Sequence, residues 1–175
     1  RPPELSGAIA HCRGTALYHE GHFELALDQL VTALDLFGRE QFGSGRVLDT
    51  LGMLYSSKDN FQAAREFYER AIETKERFQD DAGLAVTHGN LGRLNFAWGH
   101  PEKAEEHFLI DLEIARRIAD ERGEAQVYDH LGQVAISLAR WQDAVDWLNQ
   151  SVARSKQGGC IVIEGFAHKD LALAQ

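Results

Sequence analysis

The sequence predicts an all-α chain, a solenoid of antiparallel helix hairpins with four repeats and the first helix of a fifth. Three observations carry this. A pair of residues recurs as Arg13-Gly14, Leu51-Gly52, Leu91-Gly92, Leu131-Gly132 and Leu171-Ala172, its second members 38, 40, 40 and 40 residues apart. The same features follow each glycine at fixed offsets: Ala26, Ala64, Ala104 and Ala144 at twelve, and Leu30, Tyr68, Phe108 and Leu148 at sixteen. A short breaker divides every unit, so each reads as two helices around a turn.

The elements follow in order. A first helix over 5–20 carries Gly14 and stops at Glu20-Gly21; a second over 22–37 presents Phe23, Ala26, Leu30 and Ala33. Over 42–58, Leu48, Leu51, Gly52 and Tyr55 fall at i, i+3, i+4 and i+7, one apolar stripe. Lys58-Asp59-Asn60 breaks it, and 60–79 repeats the stripe with Phe61, Ala64, Phe67, Tyr68 and Ala71. The fifth helix, 81–98, ends at Gly99-His100 and the sixth, 101–118, opens on Pro101. The seventh, 121–138, ends at Ala139-Arg140, and the eighth, 141–156, carries Trp141, Ala144 and Leu148; a ninth starts near 161. Nineteen residues after the glycine stand Ala33, Ala71, Asp111 and Ser151, so the small apolar position degrades in later units. Glycine inside a helix costs roughly 1 kcal/mol against alanine. Its recurrence at one offset therefore points to close helix packing.

Composition fits a folded chain: 44% hydrophobic, 26% charged and only three prolines. Lys plus Arg is 18 against 27 Asp plus Glu, a net charge of −9 that repels phosphate backbones and disfavours nucleic acid. No apolar run is long enough for a membrane span and no signal peptide opens the chain. Cys12 and Cys160 are the only cysteines, consistent with free thiols in a reducing cytoplasm. The 13 arginines against 5 lysines fit a GC-rich bacterial genome.

Over nearly the whole chain, about six positions in each of four units resemble the tetratricopeptide repeat. The usual unit is 34 residues. Here it is about 40, lengthened by links such as Gln79-Asp80-Asp81-Ala82-Gly83 and Ala119-Asp120-Glu121-Arg122-Gly123. This longer unit is similar to Pins-type adaptors, kinesin light chains and the helical regulatory domains of bacterial regulators. The resemblance implies a single array over 1–175, with repeats at about 5–40, 41–80, 81–120, 121–160 and 161–175. It also implies a right-handed superhelix that presents a concave face to a protein partner.

Catalytic signatures are scarce, and the expectation is a protein that is not an enzyme and needs neither cofactor nor metal. His19 and His22 are three apart and straddle a turn, whereas a zinc-protease helix needs them four apart. His100 and His107 lack a third ligand and read as surface residues. Gly43-Ser44-Gly45 has neither the strand nor the Lys of a phosphate loop and reads as flexible link. Cys12 beside His11 points about 100° away from it, so it reads as a half-buried structural thiol.

What remains is a binding face. In each first helix, offsets −4, −1, 0 and +3 from the glycine form the buried stripe, leaving −6, −3, +1 and +4 alongside. Unit one then offers Ala8, His11, Thr15 and Tyr18; unit two Arg46, Asp49, Met53 and Ser56. Unit three offers Val86, Gly89, Arg93 and Phe96; unit four Gln126, Asp129, Gln133 and Ile136. Thr50, Asn90 and His130 border this face at offset −2, and Phe166 and Lys169 extend it. The expected ligand is an extended peptide or partner helix, held by amides along its backbone and by Phe96, Met53 and Ile136 as apolar anchors. The chaperone-binding members' carboxylate clamp, built from Lys and Asn, is not reproduced, since the matching positions hold His11, Thr15 and Thr50. Nor is the Asn that Pins-like adaptors carry after the glycine, where Thr15, Met53, Arg93 and Gln133 stand.

The chain begins with Arg1 and stops three residues past Ala172, which reads as a piece of a longer protein or a chain whose ends were trimmed. Residues 161–173 are largely apolar where a capping helix is polar, which reads either as a sticky C-terminal surface that takes a further helix or a second copy of the chain, or as a helix that simply covers the fourth unit.

Overall fold

A computed structural model describes residues 2–38, 41–157 and 170. Among them run eight α-helices: α1 (Pro3–His19), α2 (Phe23–Phe37), α3 (Phe42–Ser56), α4 (Phe61–Arg77), α5 (Asp81–Ala97), α6 (Pro101–Arg117), α7 (Glu121–Ser137) and α8 (Trp141–Gln157). Each bound lies within two residues of its expected place, and the architecture is an all-helical solenoid of hairpins. The expected ninth helix, with Cys160, Phe166, Lys169 and most of the apolar C-terminal segment, lies outside the described residues. The chain groups into two compact units, Arg1–Asn90 and Leu91–Gln175, the division falling inside α5.

Six of the links between helices use one backbone device. A single residue takes a left-handed conformation: Gly21, Asp59, Gln79, Gly99, Ala119 and Ala139, with φ between 54° and 83°. The next amide then reaches back five residues, as His22 N–H does to Leu17 O at 2.8 Å and Arg140 N–H to Ala135 O at 2.9 Å. This 6→1 bond satisfies a carbonyl that the helix end leaves open and reverses the chain. Asn60 and Asp120 then cap the following helices, accepting from Ala63 N–H and Gly123 N–H.

In the first unit the core is Ala10, Ala26, Leu30, Ala33, Val47, Leu51 and Leu54, with Phe37, Tyr55 and Phe67 packed against it. The repeated glycine takes a large side chain from the second helix of its own hairpin. A methyl group on Gly52 would lie 2.5 Å from the Tyr68 ring, and one on Gly14 would lie 2.8 Å from Leu30. In the second unit Gly92 receives Phe108 and Gly132 receives Leu148 in the same way. The core there is built from Ala104, Phe108, Leu112, Val127, Tyr128, Leu131 and Val134.

Gly43-Ser44-Gly45 is not a flexible link. It forms the first turns of α3, with Ser44 fully buried and its hydroxyl donating to Gln41 O at 2.6 Å. The glycines are there for space: the Phe37 ring fills the place of a Gly43 side chain, and Lys75 Cγ lies 3.1 Å from that of Gly45.

That space admits a buried charge. The Lys75 ammonium donates to Asp49, to Gly83 O at 3.0 Å and to Thr87 Oγ1 at 2.6 Å, which uses all three of its hydrogens. Thr87 in turn donates to the other Asp49 oxygen at 2.8 Å. Burial pushes the Asp49 carboxyl up and the Lys75 charge pulls it back. One repeat later the same three offsets hold Gly89, Ala115 and Val127, so the network belongs to one place in the array.

The degraded small position has two outcomes. Ser151 is buried and donates to Ala125 O at 2.7 Å. Asp111 is 9% exposed, and burial, with Asp120 adding to it, raises its pKa to about 7.

Candidate functional site

In the first unit the candidate residues gather on α1 and α3. His11 Nε2 lies 2.9 Å from Thr50 Oγ1. The Thr50 hydroxyl also donates to Arg46 O at 3.1 Å, and in the Nε2-protonated tautomer of His11 the same oxygen accepts from the ring. Burial and the nearby Arg46 charge lower the His11 pKa, so the ring is neutral at pH 7. Thr15 donates to His11 O at 3.0 Å, and Tyr18 packs edge-on to His19 and against the core. Arg46 is exposed; Met53 and Ser56, two and three turns further along α3, are half-buried.

In the second unit the candidate residues gather on α5 and α7, where an arginine charge again acts on a histidine. His130 stacks on Phe108 at 4.9 Å with the rings 24° apart. Burial, and then the Arg93 charge, lowers its pKa to about 4. Arg93 is exposed, and Phe96, one turn along α5, is 36% exposed. Gln126 is exposed, and Gln133 and Ile136 are half-buried. Gln133 Nε2 donates to Asp129 Oδ2 at 3.0 Å, and burial raises the Asp129 pKa to about 6, with Asp170 contributing.

Four of the expected residues are enclosed: Asp49, Thr50, Asn90 and Asp129 are each 7–8% exposed. Asp49 is held by Lys75 and Thr50 by His11, so these two serve the packing between helices. Cys12, expected half-buried, is exposed, because offset −2 in the first helix has no earlier helix against it among the described residues. Among the described residues there is no group of three or more His, Cys, Asp or Glu placed to hold a metal, and no helix is long and apolar enough to cross a membrane.

Sequence reasoning missed a second concavity, a cleft of about 540 Å³ between α2 and α4. Its signal was present in the repeat alignment. Leu27 and Val31 stand thirteen and seventeen residues after Gly14, where the second repeat has Arg65 and Glu69.

No curated protein matches the sequence. Solved structures do, at identities that establish the fold alone. A signal-transduction ATPase with a tetratricopeptide-repeat sensor from Pyrococcus horikoshii has 19% identity and a TM-score of 0.85 over 94% of this chain and 25% of its own. Aspartyl phosphate phosphatase F of Bacillus subtilis has 12% identity and a TM-score of 0.94 over 99% of this chain and 46% of its own. The pilF protein of Pseudomonas aeruginosa has 14% identity and a TM-score of 0.72 over 100% of this chain and 79% of its own. The chain thus spans less than half the length of the first two. The tetratricopeptide-repeat profile matches residues 5–77 and again 47–109, and with the repeated glycines packed under Tyr68, Phe108 and Leu148 the chain belongs to the tetratricopeptide-repeat family.

Proposed function

We propose that this chain is a non-catalytic interaction module of a larger bacterial scaffold or regulatory protein in the cytoplasm, with a long repeat of the Pins and kinesin-light-chain kind. It takes an extended peptide or a partner helix along the concave face lined by its first helices. The observation that carries this is the exposure of Arg46 on α3 and of Arg93 and Phe96 on α5, beside fully packed Leu51, Gly52, Leu91 and Gly92. A cation and an aromatic one turn apart on a rigid helix are the residue types that anchor partners. Tetratricopeptide repeats in general bind proteins, which supports the reading.

A second reading is a ligand-sensing or autoinhibitory domain of a bacterial regulator. It is favoured by the likeness to the Pyrococcus horikoshii protein, whose repeats are described as a sensor.

The test is affinity capture from lysate with the chain and with its Arg93→Ala/Phe96→Ala variant. Exposed substitutions shift stability by only about 0.5 kcal/mol, so the variant stays folded. A protein held by the first and lost by the second supports the groove. If both retain the same set, the groove reading falls; if neither retains any, the sensor reading moves ahead and ligand-dependent thermal shifts follow.

A further inference from the structure

We propose that the fourth hairpin binds a monovalent cation of ammonium size, at a site built on Asp129 of α7 and Ser155 of α8. The second hairpin shows what such a site takes. There Asp49, three residues before the repeated glycine, receives the ammonium of Lys75, twenty-three residues after it. In the fourth hairpin the same two offsets hold Asp129 and Ser155, so the carboxylate is kept while its cation is replaced by a hydroxyl. The first and third hairpins have no carboxylate at that offset, carrying His11 and Gly89 instead.

Both residues are shut in, Asp129 at 7% exposed and Ser155 at 1%. Gln133 donates to Asp129 Oδ2, but Oδ1 is buried and has no hydrogen-bond partner among the described residues, and neither has Ser155 Oγ. Enclosing such atoms unpaired is unfavourable, most of all for a carboxylate. Two enclosed acceptors thus stand on the very positions that meet through an ammonium two repeats earlier.

The surroundings set the sign, charge and size of what they would hold. Arg154, next to Ser155, is engaged by Glu124 at 3.2 Å. Burial and the Asp170 charge raise the Asp129 pKa to about 6, and it is the Gln133 hydrogen bond that opposes them. At pH 8 the carboxylate is therefore ionised without a cationic side chain to answer it. Among the described residues there is no group of three His, Cys, Asp or Glu of the kind that divalent and transition metals use, which leaves a single positive charge. A methyl group on Gly45 would lie 3.1 Å from Lys75 Cγ, and the fourth hairpin has Ala125 at that position, fully buried. Its methyl takes the room of the lysine stem, so the place suits the charged head without the chain.

The test is thermal unfolding at pH 8 and fixed ionic strength in the chlorides of ammonium, potassium and tetramethylammonium. Ammonium and potassium, which are close in size, are expected to raise the midpoint by about 2–4 °C over the bulky tetramethylammonium. A rise with ammonium alone also supports the site, as one that accepts hydrogen bonds. Asp129→Asn keeps the shape and removes the charge, so it shares every nonspecific salt effect and is expected to lose the difference. Ala125→Gly/Ser155→Lys rebuilds the arrangement of the second hairpin and is expected to lose it as well. Equal wild-type midpoints in the three salts overturn the proposal, as does a difference that persists in either variant. Should the double variant fail to fold by circular dichroism, Asp129→Asn alone decides.

Discussion

Lys75 and Asp49 form an ion pair shut away from water, with the lysine side chain 3% exposed and that of the aspartate 11%. Breaking one side strands the other charge. Lys75→Met is expected to cost about 3–5 kcal/mol, while Asp49→Ala/Lys75→Met/Thr87→Val, which removes every polar member, stays within about 1–2 kcal/mol of the wild type or exceeds it. Urea denaturation of both variants decides it. A single variant as mild as the triple one would mean that water reaches Asp49.

Gly92→Leu and Gly52→Leu force a side chain into space held by the Phe108 and Tyr68 rings. Each is expected to lose about 1–3 kcal/mol or more through overpacking. Thermal unfolding reads this directly. An unchanged midpoint in either would disprove the ring-on-glycine packing.

The turn residues predict effects of opposite sign. Ala119 and Ala139 hold φ values of 56° and 54°, a conformation that burdens an L-residue by about 1–2 kcal/mol. Replacement by glycine is expected to be neutral to favourable by about 1 kcal/mol, even though glycine loosens the unfolded chain. Gly99→Ala, at φ 83° with open space around it, is expected to cost about 1 kcal/mol by strain alone. Matching changes in both directions would refute the left-handed links.

Asp111 sets a pH dependence. Its folded pKa of about 7 lies above the ordinary 3.8, so the folded state holds the proton more tightly. Its effect on stability is most favourable below about pH 4, declines as the pH rises to about 7 and then levels off. Asp111→Ala, the residue found at this offset in the first two repeats, is therefore expected to gain up to about 4 kcal/mol at pH 8 and little at pH 4. Equal effects at the two pH values would place Asp111 in contact with solvent.

His130 works in the reverse direction. Its folded pKa of about 4 lies below 6.5, so stability is lost as the pH falls from about 6.5 to about 4. His130→Asn, which copies Asn90 of the preceding repeat, is expected to flatten that acid limb. Denaturant midpoints between pH 4 and 7 show whether it does.

The helices were legible because each carries a breaker and a stripe of its own. The binding face was legible only in part, for a reason visible on a helical wheel. Taking the buried stripe as centred near −50° from the glycine, offsets −6 and +1 lie about 150–170° away, while −3 and +4 lie about 90–110° away. Arg46, Gln126 and Arg93 at the far offsets are exposed; Asp49 and Asp129 at −3 are enclosed. Thr50 was missed differently. Its burial comes from His11 on α1, a neighbour that no single-helix wheel contains. The α2–α4 cleft needs three helices at once, and only the comparison of Leu27 and Val31 with Arg65 and Glu69 hinted at it.

The polar cluster of Lys75, Asp49 and Thr87 also bears on how such an array grows. Hairpins of nearly equal length, most of them joined by the same backbone turn, are modular parts that gene duplication can copy and reorder. This one is keyed: the second hairpin supplies the anion and the cation, and its successor supplies the hydroxyl and carbonyl that complete their shell. Copied elsewhere, it would meet Val127 rather than a hydroxyl at the matching offset. Moving the second hairpin without the start of the third would therefore strip a buried ion pair of the hydroxyl and carbonyl that complete it.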